Sequence, residues 1–137
     1  MEKRDLLKDE IERFGRVIGQ ILASFIGLRQ KGDLTEAVRA TNERLKRELD
    51  LDIDKLLTCN KTELEAYVDA NQLTDDHLTT LSAYLEEAGL AIRESRKEAA
   101  DSYIQTAIFL LDIVDERSTT LSLDRVSKRN ELQDLLR

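Results

Sequence analysis

The chain has 137 residues, 36% of them charged and 41% hydrophobic, with a formal net charge of −7 and neither proline nor tryptophan. One histidine and one cysteine exclude an internal disulfide, a cysteine-based zinc site and any mechanism that needs two histidines. The length supports a single helical domain over residues 1–137, and the lack of proline with only five glycines favours long helices over turn-rich β structure.

Residues from about Asp5 to Lys31 form the first predicted helix. Leu7, Ile11, Phe14, Ile18, Ile21, Phe25 and Leu28 are spaced alternately four and three apart, which is a heptad seam. Val17, Leu22 and Ile26 widen it. Gly15 and Gly19 lie one turn apart, where missing side chains allow close helix approach. Gly32 ends this helix, and Asp33 followed by Glu36 three residues later is a capping signature for the next. Leu34, Ala37, Val38, Thr41, Leu45 and Leu49 make one face of that second helix, so the two form an antiparallel hairpin.

From Asp50 to Leu73 the pattern breaks into short pieces. Asp52 is placed to cap a short helix carrying Ile53, Leu56 and Leu57, and Asn60 or Thr62 opens another with Leu64, Tyr67 and Val68. Thr74 or Asp75 starts a longer helix with Leu78, Leu81, Leu85, Ala88 and Ile92 on its seam. The next helix runs from about Lys97 to Glu116 through Ala100, Tyr103, Ile104, Ala107, Leu111 and Val114. Ser122 or Asp124 opens the last one, with Leu123, Val126, Leu132, Leu135 and Leu136. No stretch alternates as a strand does, so the expected fold is all-α with about five to seven helices.

The charge is uneven: residues 1–49 carry 11 basic and 9 acidic groups, 50–91 carry 2 and 10, and 92–137 carry 8 and 9. This acidic balance argues against nucleic acid as a partner, because phosphate binding needs a cationic face. The most apolar stretch, Val17 to Leu28, spans 12 residues, too few to cross a bilayer, which takes about 20. The charged start, Met1-Glu2-Lys3-Arg4-Asp5, is unlike a signal peptide, and cytoplasmic residence is the expectation.

Tyr84, Ala88, Ala100, Ile104 and Ala107 fall near the spacing of a tetratricopeptide repeat, which needs small residues where its two helices cross. The order of segments resembles an uncharacterised bacterial family of small tetratricopeptide-like helical proteins. The resemblance is carried by Gly32-Asp33-Leu34-Thr35-Glu36-Ala37 after a long apolar helix, by Leu49 to Leu57, and by Leu78 to Ala88 leading into Lys97-Glu98-Ala99. It implies antiparallel helical hairpins in a right-handed array, and it brings no activity with it.

Candidate chemistry is sparse. Asp50, Asp52 and Asp54 alternate like the start of a calcium loop, but Lys55 and Lys61 stand where that loop needs glycine and glutamate. Asp50 and Asp52 are better read as helix caps that face water, with Leu51 and Ile53 pointing inward. His77 follows two aspartates in a predicted first turn and lacks a second ligand at helical spacing. Cys59 follows Leu56-Leu57 near a helix end with no histidine nearby in sequence, and it reads as a structural cysteine. Among Arg93, Arg96 and Lys97, Glu94 interrupts the patch. The expectation is therefore a non-enzymatic scaffold that binds a protein or peptide through Tyr84, Tyr103 and Arg96, with no cofactor and no metal. The alternative is a homodimer built on the Leu7, Ile11, Phe14, Ile18, Ile21 and Phe25 seam. An enzyme whose site is assembled only by folding comes third.

Overall fold

A computed structural model of the chain describes the backbone of residues 2–137 and the side chains of residues 8–137. It contains α1 (Glu2–Arg29), α2 (Leu34–Leu49), α3 (Ile53–Thr58), α4 (Lys61–Ala70), α5 (Asp75–Ile92), α6 (Lys97–Arg117) and α7 (Leu123–Leu135). No strand occurs among the described residues. The protein is all-α.

Local chemistry sets the helix ends. Gly32 adopts φ 102, a region closed to most L side chains, and Asp33 Oδ1 then accepts the Glu36 N–H at 3.0 Å to start α2. The end of α2 uses Asp50 at φ 55, whose left-handed backbone turns its own N–H to the Lys46 carbonyl and that of Leu51 to the Leu45 carbonyl. Asp52 caps α3, while Asn60 and Glu63 close a reciprocal capping box on α4. Leu51 and Ile53, on either side of the Asp52 cap, are both buried. The broken stretch from 52 to 73 is thus two short capped helices. Gln72, at φ 55, ends the second of them by returning the Leu73 N–H to the Val68 carbonyl.

Two long hairpins organise the rest. α1 packs on α2, and α5 packs on α6. α5 also touches both α1 and α2, whereas α3, α4 and α7 all lie against α6. One buried apolar cluster draws on every helix, through Ile18, Val38, Ile53, Leu64, Leu78, Ile104 and Leu132 among others. α7, the most polar of the late segments, is fastened to α6 by Arg125–Asp115 and Arg129–Asp112 ion pairs and by fully buried Leu132.

The first-helix seam is consumed inside the chain. Ile18, Ile21 and Phe25 are buried by the fold itself, and Ile11 and Phe14 are half-buried. Leu7 lies outside the residues whose side chains are described. Ile18, Ile21 and Phe25 therefore have little surface of their own to offer a second copy, while Leu22 between them is half-buried and Ile26 beside them is 48% exposed.

The close approach expected at Gly15 and Gly19 falls elsewhere. A Cβ at Gly19 meets nothing within 4 Å, and one at Gly15 stands 3.5 Å from the His77 ring. Gly89 is the glycine that lets two helices meet, since a Cβ there lies 3.1 Å from the Ala100 carbonyl and 3.2 Å from Tyr103 Cβ. Gly19→Ala is therefore expected to raise stability by about 0.5–1 kcal/mol through helix propensity. Gly89→Ala should lower it by about 1 kcal/mol, because forcing an atom into a packed crossing costs more than the propensity returns. Urea unfolding midpoints of the two variants, moving in opposite directions, check this.

Candidate functional site

A groove of about 590 Å³ opens between α2, the start of α3 and the α5–α6 turn. Its apolar lining comes from Val38, Ile53, Leu57, Ile92 and Ala99, and Asn42 and Tyr103 present polar atoms within it. The volume lies in the range of ligand-sized sites.

Behind the groove runs a hydrogen-bond relay. Tyr84 Oη donates to Asn42 Oδ1 at 2.6 Å, and Asn42 Nδ2 donates to Tyr103 Oη at 2.7 Å. The amide orientation follows from burial: Tyr84 is 2% exposed and has no other acceptor, so it needs the Asn42 oxygen. The Tyr103 hydroxyl then accepts from Asn42, and its own proton has no acceptor among the described residues. That hydroxyl is a free donor at the groove. Burial pushes both phenols above the usual tyrosine range; at Tyr103 the Asn42 N–H and the Arg96 guanidinium pull the other way, and the Asp54 carboxylate adds to the rise.

Most of the charges around the groove are matched. Arg39 pairs with Glu36 and with Glu43, and Lys46 approaches Asp52 at 3.9 Å. Of the three basic residues at the α5–α6 turn, Arg93 donates to the Leu135 carbonyl and Lys97 pairs with Asp101. Arg96 and Asp54, which act on Tyr103 with opposite sign, line the groove without an ion-pair partner among the described residues.

Of the expected site residues, the structure thus places Tyr103 and Arg96 together at the groove and corrects the position of Tyr84. Tyr84 packs edge-on to Phe25 at 5.2 Å and supports the site from the core without reaching its surface. Asn42 and Asp54 were missed by sequence reasoning. Asn42 carried a signal, because it sits on the buried stripe of α2 four residues after Val38 and three before Leu45.

A second hollow of about 430 Å³ lies at the C-terminal end of α2, with His77 in its wall. Thr74 and His77 form a capping box: Thr74 N–H donates to Nδ1 at 3.1 Å, and the His77 N–H donates to Thr74 Oγ1 at 3.2 Å. Nε2 lies 3.0 Å from the Ile11 carbonyl in α1. Because Nδ1 accepts, Nε2 carries the proton, and the ring is a neutral tautomer with both nitrogens engaged. Cys59, by contrast, is half-buried with Sγ 3.4 Å from the Lys55 carbonyl, and burial raises its thiol above the ordinary value. No group of three or more His, Cys, Asp or Glu side chains placed to hold a metal occurs among the described residues. No helix among them is long and apolar enough to cross a membrane.

Comparison of the chain with family models, curated proteins and solved structures finds no match.

The relay makes a specific energetic claim. Asn42→Ala strands the Tyr84 hydroxyl and is expected to cost about 1–3 kcal/mol, whereas Tyr84→Phe costs only about 1 kcal/mol, since Asn42 still reaches the groove. The double variant should cost less than the sum of the two, and a double-mutant cycle by chemical denaturation measures that coupling.

Proposed function

We propose that the protein is a non-enzymatic helical scaffold that binds an extended peptide segment of a partner protein in the groove between α2, α3 and α6. The observation that carries this reading is the unsatisfied Tyr103 hydroxyl donor at an apolar groove, flanked by unpaired Asp54 and Arg96. A peptide backbone presents carbonyl acceptors to such a donor, and a segment bearing one basic and one acidic side chain complements the two charges. The small residues at the α5–α6 crossing, Ala88, Gly89, Ala100 and Ala107, support the tetratricopeptide-like reading of this hairpin. The polar groups themselves favour binding over chemistry, because the phenols are held protonated and the histidine ring has no nitrogen to spare.

A peptide-display library selected on the protein tests the proposal. Selected peptides should combine an acidic and a basic residue around an apolar centre. The Tyr103→Phe and Arg96→Glu variants should each bind them about tenfold more weakly, a loss of about 1.4 kcal/mol. Selected peptides that bind both variants as tightly as the original protein would place recognition elsewhere.

A further inference from the structure

We propose that His77 is an acid-released latch that fastens residues 8–17 of α1 to the start of α5. The inference stands apart from the groove, which shares no lining residue with the hollow beside His77.

The geometry makes the latch dependent on a neutral ring. Nδ1 accepts the Thr74 N–H, so the α5 cap needs a lone pair there, and Nε2–H donates to the Ile11 carbonyl, which ties the same ring to α1. Phe14 packs against the imidazole with ring centres 4.6 Å apart, and the ring lies beside Gly15, where a Cβ would stand 3.5 Å from Nε2. Protonation puts a second N–H where Thr74 already points one. Two donors then face each other, and the ring cannot keep both bonds.

The surroundings do not rescue the cation. His77 is 5% exposed and occupies the first turn of α5, where the helix macrodipole opposes positive charge. On its own helix the Asp76 carboxylate favours the charged ring, while neighbouring Asp75 faces Arg117 at 3.5 Å. From α1 the hollow is lined by Glu10 and Arg13, from α2 by Arg47 and Glu48, and from the following turn by Asp50. Glu48 is already engaged by Arg44 at 2.8 Å, and Asn71 and Gln72 on the α4 side carry no charge. Burial holds the imidazole below its ordinary value, with the Ile11 carbonyl and Asp76 opposing. The docked state therefore binds fewer protons than the undocked one. Docking is complete above the ordinary histidine value of about 6.5 and weakens as pH falls below it, by up to about tenfold per pH unit.

Opening is local for a packing reason. Downstream of the latch, Ile18, Ile21 and Phe25 anchor α1 in the core, whereas the apolar side chains of residues 8–17, Ile11, Phe14 and Val17, are only half-buried. Release peels one end of α1 away and leaves the α5–α6 hairpin in place.

His77 is the chain's only histidine, so its ring signal in proton NMR is unambiguous. The experiment follows that signal and amide hydrogen exchange, corrected for intrinsic rates, from pH 7.5 to 5.5. Protection across residues 8–17 should fall about tenfold or more as His77 protonates, with residues 18–28 unchanged. His77→Gln keeps a capping-box side chain that does not titrate, and it should abolish the pH dependence in residues 8–17. The proposal is overturned if residues 8–17 stay protected through the titration, if protection falls equally along all of α1, or if His77→Gln opens over the same pH range.

Discussion

The α5–α6 crossing is the contact on which the other helices depend. At Gly89 the two helices meet almost backbone to backbone, with the Ala100 carbonyl and the Tyr103 Cβ occupying the space a side chain would take. Ser82 adds a buried bond to the Ala107 carbonyl one helical stretch away. Every other helix then rests on one member of this pair, α1 and α2 on α5, and α3, α4 and α7 on α6. Such a crossing tolerates little adjustment, because packed interiors pass a displacement on to their neighbours.

The groove is a product of this arrangement. α2 reaches it from the first hairpin, α3 from the short middle segment, and Arg96, Ala99 and Tyr103 from the start of α6. The Tyr84–Asn42–Tyr103 relay crosses from α5 to α2 and on to α6, so a single amide connects the two hairpins. Burying a polar relay is favourable only when each inner group is satisfied. Here both inner groups are satisfied, and the outer residue of the relay, Tyr103, lines the groove.

Helix number, helix ends and class were legible in the sequence, because they are local. The Asp33, Asp52, Asn60, Thr74 and Ser122 caps each act within three residues of themselves. The ends at Asp50 and Gln72 were harder to read, since neither is the glycine that usually takes positive φ. Gly15 and Gly19 looked like the close-approach pair because of their spacing, yet spacing says nothing about which face meets a partner. Gly89 does that work and had no distinguishing neighbour in sequence. The candidate site divides the same way. Tyr84 and Tyr103 stood out as the tyrosines of the α5–α6 hairpin and Arg96 as a base at its turn; Tyr103 and Arg96 line the groove, whereas Tyr84 packs in the core beside Phe25.

The sequence by itself determined an all-α chain, the positions of its caps and the absence of a second histidine or cysteine, because composition and i to i+3 chemistry require no knowledge of distant residues. Only the tertiary structure decided where the buried part of the first-helix seam packs, that Asn42 links two tyrosines, and that the lone histidine reaches Ile11, 66 positions away. Those outcomes depend on which faces of separate helices come into contact, and that is set by the packing of the whole core.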